Sequence, residues 1–375
     1  MKLTINREQL LKGLNVISKS INDKHPIPIM RNVKLELNHE GLGLIGTDNE
    51  LTIKTVIPFM IGSTEVIRNY QPGATLVSFK ILFEITRRLD GNEITLEVID
   101  ETIVEINDGR SNFRLNSIKP EEYPDIDLDP TGVTFNLAGK KLAEIVDQTA
   151  FAASQKEQRP ILTAVNFSTE GNKLVVVATD SARLAHKEAT IDDEVKFNAN
   201  IPAKVISEIS RLCLDEEKVT ISISETKILF AFNGTVVNSR LIAGEYPSTK
   251  NIIPRSYNYF LEVNSEELLK AMDRVALLSS SDRENVVKLT MSETDGVQVS
   301  TKSAQNGSAT EQLETFHFTG ERLEISFNAA FVASAVRACK SQDVMLGFLG
   351  EMKPFSVRND KDDSQIQIVT PVRTY

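Results

Sequence analysis

Leu3 and Ile5 alternate with polar residues, and Leu10, Leu14, Ile17 and Ile21 then recur at helical spacing. The chain therefore opens by predicting a strand and an amphipathic helix. The same order returns twice. Residues 134–137 and 259–263 alternate like strands, and the sets Leu142, Ala143, Val146 and Leu268, Leu269, Met272 follow with the spacing of Leu10, Leu11, Leu14. A second helix recurs as well. Lys80-Ile81-Leu82-Phe83-Glu84-Ile85-Thr86-Arg87 lines up with Lys204-Val205-Ile206-Ser207-Glu208-Ile209-Ser210-Arg211 at an offset of 124, and a further shift of 126 carries Ile206 to Val332, Arg211 to Arg337 and Cys213 to Cys339. Six helices are predicted near 7–21, 79–89, 139–149, 202–212, 265–277 and 328–340. Alternating runs at 33–37, 93–98, 103–106, 113–115 and 174–178 predict strands, with hairpin turns at Asn38-His39-Glu40-Gly41 and Asn107-Asp108-Gly109.

Loop segments repeat too: Glu122-Tyr123-Pro124 as Glu245-Tyr246-Pro247, and Gly46-Thr47-Asp48 as Ala178-Thr179-Asp180. Three copies fill the 375 residues with nothing left over. Short strands outnumber helices, and parallel βαβ alternation is absent. The expected class is α+β: three similar domains, each of antiparallel sheets packed on two helices. Asp- and Pro-containing stretches at 125–131 and 251–258 set the expected boundaries, giving domains 1–127, 128–254 and 255–375.

Charge changes this picture. The chain carries −10 overall, which as a whole repels nucleic acid and anionic membranes. The six predicted helices nevertheless hold fourteen Lys and Arg against eight Asp and Glu, leaving −16 for the rest. A single basic helix is ordinarily a solvated surface. If the copies form an arc, however, equivalent helices can line one positive surface inside an acidic shell, and that surface would attract phosphates without reading sequence. No apolar run approaches the ~18 residues of a membrane span and the start has no apolar signal core, so a cytoplasmic, membrane-free protein is expected.

Several motifs tempt an enzymatic reading. Gly41-Leu42-Gly43-Leu44-Ile45-Gly46 matches G-x-G-x-x-G, but the alternating Leu51-Thr52-Ile53 follows it rather than a helix, so a hairpin is expected. Asp48 and Asp180 are candidate carboxylates, but they sit in equivalent turns of separate copies, and a turn role is expected of both. His25, His39, His186 and His317 are scattered without metal-ligand spacing, and neither metal nor cofactor is expected. Cys213 and Cys339 fall on apolar helix faces and predict buried, reduced thiols.

The segments Arg159-Pro160-Ile161-Leu162, Ala178-Thr179-Asp180-Ser181-Ala182-Arg183-Leu184-Ala185, Glu245-Tyr246-Pro247 and Pro371-Val372-Arg373, together with Pro28-Ile29 and Gly46-Thr47-Asp48, resemble the bacterial sliding clamps, the beta subunits of DNA polymerase III holoenzyme. The resemblance runs the whole length, and the ending resembles clamps of low-GC Gram-positive bacteria. It implies a head-to-tail homodimer closing a six-domain ring around double-stranded DNA. It implies a non-catalytic role: tethering the replicative DNA polymerase after loading by an ATP-dependent clamp loader, and binding other polymerases and repair proteins through short linear motifs. It also implies a peptide groove, at Leu162, Thr179, Arg183, Leu184, Pro247, Ile252, Val369, Pro371, Val372 and Arg373, with its floor at Leu162, Leu184, Val369 and Val372. Ala182 stands where many members have His, and Val372 where many have Met. The helix charges and the resemblance together give the DNA-facing set Lys12, Lys19, Lys24, Lys80, Arg87, Lys141, Lys156, Arg159, Lys204, Arg211, Lys270, Arg274 and Arg337. The alternatives are an interaction scaffold that never encircles DNA and a carboxylate enzyme built on Asp48 or Asp180.

Overall fold

The structure is a computed structural model that describes residues 1–100, 102–249, 251–279 and 285–373. The repeat appears in its elements. Among the described residues the helices are α1 (Arg7–Ile17), α2 (Phe79–Arg88), α3 (Gly139–Thr149), α4 (Ala203–Leu212), α5 (Ser265–Ala276) and α6 (Ala329–Cys339). Each lies within a residue or two of its predicted range except α1, which ends four residues early. There the Ser18 Oγ donates to the Asn15 carbonyl (2.6 Å) and the Ser20 Oγ to the Ile17 carbonyl (3.0 Å), tightening the end into a 3₁₀ turn. Asparagine caps open three helices: Asn6 Oδ1 accepts from Gln9 N, Asn264 Oδ1 from Glu267 N, and Asn328 Oδ1 from Ala330 and Phe331 N.

The chain forms two compact units, Met1–Lys140 with Glu208–Leu241, and Lys141–Ser207 with Ile242–Tyr375, so the division passes through the second repeat. The first unit holds a thirteen-stranded antiparallel sheet and the second a nine-stranded and a four-stranded one. One rule joins successive repeats. Strand Leu51–Ile57 of the first copy pairs with Thr235–Arg240, the last strand of the second, in the register Ile53 to Val237. Strand Arg183–Thr190 of the second copy pairs with Gln365–Val369, the last strand of the third, in the register Leu184 to Ile368. The rule leaves two edges over. Residues 112–116 of the first copy's last strand, Asn112–Ile118, bond on one side only, and so does the third copy's Gly307–Leu313, among the described residues.

Helices cover one face of the sheets. Leu10, Gly13, Leu14 and Ile17 bury α1 on the first sheet, and α5 and α6 seal the third copy's core around Phe327, Phe348 and Phe355. The glycine-rich run is strand Leu42–Thr47, buried throughout. A Cβ on Gly46 would lie 2.6 Å from Ile21 Cγ1, and one on Gly41 (φ +140°) would lie 2.1 Å from the Ile57 carbonyl oxygen. These glycines serve close packing and a hairpin.

Candidate peptide groove and cationic surface

The turns that carry Asp48 and Asp180 are built alike. Asp48 Oδ1 accepts from Glu50 N (3.1 Å) and Leu51 N (2.8 Å); Asp180 Oδ1 accepts from Ala182 N (2.9 Å) and Arg183 N (3.0 Å). Both carboxylates thus fix turns, as their sequence position suggests. The Glu-Tyr-Pro loops fold back onto them. The Tyr246 hydroxyl accepts from Thr179 N (3.0 Å) and donates to the Ala164 carbonyl (3.4 Å); the Tyr123 hydroxyl donates to the Asn32 carbonyl (3.5 Å). Burial pushes both phenols up to about 12. Cys213 and Cys339 are buried free thiols, pushed up by burial to about 11 and about 12.

The residues of the candidate groove come together inside the second unit. Directly opposed residues of an antiparallel pair share a face, so the register places Ala164, Thr179, Leu184 and Ile368 in one row on the outer face, away from the helices. Ile161, Ile242 and Ile253 pack against this cluster, and Tyr246 covers part of it. The tail runs alongside: Thr370 N donates to the Ala182 carbonyl (2.9 Å) and Val372 N to the Ser326 carbonyl (2.7 Å). Pro371 and Val372 are half-buried, whereas Arg373, Pro247 and Ile252 are exposed.

The register separates one expected floor residue from the others. Val369 is opposed to Arg183, not to Leu184, and its side chain is fully buried in the third copy's core on the helix side. Ile368 takes its place beside Leu184. Arg183 is committed as well: its Nε donates to Asp180 Oδ2 (3.0 Å), and its guanidinium lies over the rings of Phe331 (4.5 Å) and Phe151 (5.6 Å). It tethers the second copy to the third. Leu162 is buried, but its neighbour Ile161 is the one that packs on the Leu184 cluster. The missed residues Ile161, Tyr246, Ile253 and Ile368 had a signal only in the strand register, because a one-residue step changes the face.

Of the expected DNA-facing residues, eight are locally paired. Lys12 pairs with Glu8, Lys19 and Arg211 with Glu208, Lys80 with Asp23, Arg87 with Glu84, Lys270 with Glu266, Arg274 with Glu311, and Arg337 with Asp273. Lys141 Nζ donates to the Thr190 carbonyl (2.7 Å). Lys24, Lys156, Arg159 and Lys204 are exposed without an ion pair among the described residues. Two of these are equivalent. Lys24 precedes the 3₁₀ turn Pro28–Arg31, and Lys156, 132 positions on, precedes the 3₁₀ turn Pro160–Thr163.

The comparisons agree over the full length. Models of the N-terminal, central and C-terminal domains of the DNA polymerase III beta subunit match residues 1–127, 136–248 and 250–373. The beta sliding clamps of Bacillus subtilis and Halalkalibacterium halodurans are 32% and 35% identical, with all of both chains covered in each case. The crystal structures of the DNA polymerase sliding clamp from Bacillus subtilis (32% identical, TM-score 0.96) and of the DNA polymerase III beta chain from Streptococcus pneumoniae (31%, 0.95) superpose over the full length of each chain. With its triplicated α+β fold, the chain belongs to the DNA polymerase III beta subunit family, the sliding clamps.

Proposed function

We propose that two copies close head to tail into a ring of six clamp domains (1–127, 128–254 and 255–375 in each), which encircles double-stranded DNA, slides on it and tethers the replicative DNA polymerase. The ring is not itself an enzyme; as a factor it confers processivity. The observation that carries this reading is the pair of leftover edges. Every internal joint pairs one copy's middle strand with the next copy's last strand. The third copy's Gly307–Leu313 and the first copy's residues 112–116 are the same two strands with one side left unpaired among the described residues. A second copy satisfies both at once, and a head-to-tail contact that repeats the internal joint closes at a fixed number. Phe113, 38% exposed on the open edge, supplies apolar contact there.

Within the ring, Lys24, Lys156, Arg159 and Lys204 are the first candidates for phosphate contact, because they are exposed without an ion pair among the described residues. Lys12, Lys19, Lys80, Arg87, Arg211, Lys270, Arg274 and Arg337 would exchange carboxylate for phosphate. The groove lined by Leu184, Ile368, Pro247, Ile252, Pro371 and Val372 receives a short, mostly apolar peptide from polymerases, repair proteins and the ATP-dependent loader. Residence in the cytoplasm follows from that role, and no described helix is long and apolar enough to cross a membrane.

Light scattering tests the ring. The 41.7 kDa chain should run at twice its mass at micromolar concentration and physiological salt, and Phe113→Asp should run as a folded monomer. A monomeric wild-type protein, or a dimer indifferent to Phe113→Asp, would contradict the proposed contact.

A further inference from the structure

Next to the groove lies a cleft of about 590 Å³, a size typical of ligand sites, between the outer face of the sheet and the connecting segment that carries Tyr246, Pro247, Ile253, Pro254 and Arg255. Its floor is the adjacent row of the same strands. Asn166, Val177, His186 and Ile366 are opposed in register, two residues along from Ala164, Thr179, Leu184 and Ile368. Two residues of strand span about 7 Å, as do two residues of an extended bound peptide. Arg358 ends the next strand, one step beyond the Val357–Gln367 pair, and so belongs to the His186 row.

The chemistry of the cleft is unspent. Neither ring nitrogen of His186 has a hydrogen-bond partner among the described residues, and burial lowers its pKa against the opposing influence of Glu188 and Glu170. Arg255 is exposed, and Arg358 lies over the Tyr257 ring at 5.0 Å; neither has a carboxylate partner among the described residues. The acidic groups lining the same cleft are Glu170, Glu188 and Asp363. Glu188 is paired with Lys173 (2.9 Å) and sits one row farther from the groove, with Glu170 beyond it; Asp363 is exposed. Arg358, level with His186, therefore stands nearer the groove than Glu188 and Glu170, and Arg255 lines the same cleft.

We propose that this cleft is an acceptor for a carboxylate: an Asp or Glu side chain that flanks the apolar anchors of a peptide held in the groove, bound by Arg255 and Arg358 beside His186. The proposal rests on the groove reading above. Guanidinium groups suit the task because they present paired donors to a carboxylate. The chain's overall charge of −10 works against an acidic flank, so any gain in affinity has to come from these local cations.

The test is fluorescence anisotropy with three synthetic peptides. They share one Gln- and Leu/Phe-containing core and carry two Glu, two Gln or two Lys residues at each end. They are titrated against the full-length protein, Arg255→Gln, the double variant Arg255→Gln/Arg358→Gln, and Val372→Asp as the groove control. The Glu-flanked peptide should bind about fivefold more tightly than the Gln-flanked one, an advantage that shrinks at high salt. Arg255→Gln should lose part of the advantage and the double variant all of it, with affinity for the Gln-flanked peptide unchanged. Because Arg255 is exposed, its single variant reports even if the change at Arg358 disturbs Tyr257. Equal affinity for the Glu- and Gln-flanked peptides, or an advantage that survives the double variant, overturns the carboxylate site. If the Gln-flanked peptide still binds and Val372→Asp abolishes that binding, the groove stands without the carboxylate site. If no peptide binds, both readings fall.

Discussion

Tyr123 and Tyr246 show how much a single hydroxyl can hold. Each phenol donates to a backbone carbonyl of the repeat that it closes, Tyr246 also accepts from Thr179 N, and each is held at about 12, above the ordinary phenol value near 10. A neutral form favoured by folding stabilises fully below the unfolded value and is lost as pH rises through the folded one. Stability should therefore fall between about pH 10 and pH 12, by about 2–3 kcal/mol per tyrosine, with the buried thiols adding in the same direction. Tyr246→Phe should cost about 1–3 kcal/mol at neutral pH, since Thr179 N loses its acceptor, and should flatten the alkaline loss. Urea titrations at pH 7, 10 and 11.5 would read both effects. A parallel fall in wild type and variant would mean that Tyr246 is not the titrating group. Leu184 and Ile252 separate in the same spirit. Leu184 is 3% exposed and anchors a cluster, so Leu184→Ala should cost about 2–4 kcal/mol of stability as well as peptide affinity, whereas Ile252→Ser, at a residue 44% exposed, should weaken peptide binding with little change in stability. Denaturation midpoints set beside peptide titrations check the pair; equal stability losses would contradict the assigned burial.

At the scale of elements, periodicity made the helices and most strands legible, because an amphipathic stripe at spacing 3.6 or 2 is a property of the residues themselves. Even the Asx turns at Asp48 and Asp180 followed from the residue type. The pairing between repeats was not legible. Whether Val369 or Ile368 stands beside Leu184 depends on a register between strands about 180 residues apart, and a one-residue step exchanges the core for the groove. Nor does a charge count show neutralisation. The surplus on the helices is real, but Asp23 and Glu311 from outside them pair with Lys80 and Arg274. The unpaired cations of the equivalent loops, Lys24 and Lys156, should accordingly matter most in direct contact with DNA. Lys24→Ala with Lys156→Ala should lower the slope of log affinity against log salt by about 2 on linear duplex, while Lys12→Ala, already paired with Glu8, should change it by less. Binding measured across a salt series decides this; equal slopes for wild type and the double variant would remove these loops from the DNA surface.

For the whole molecule, the proposed mode of holding is topological: the protein keeps DNA by surrounding it. Screened phosphate contacts on a protein of charge −10 should be weak and salt-sensitive; in the ring proposed above, retention comes from closure, and closure from the two open edges. The direct measurement is retention on a nicked circle onto which the protein has been placed by its clamp loader, followed by gel filtration in high salt with and without a single restriction cut. The protein should stay with the uncut circle through the salt wash and leave once the circle is linearised, and Phe113→Asp should not be retained in either case. Equal retention on cut and uncut DNA would contradict encirclement, because a protein bound only by surface contact has no means of sensing whether the DNA has ends.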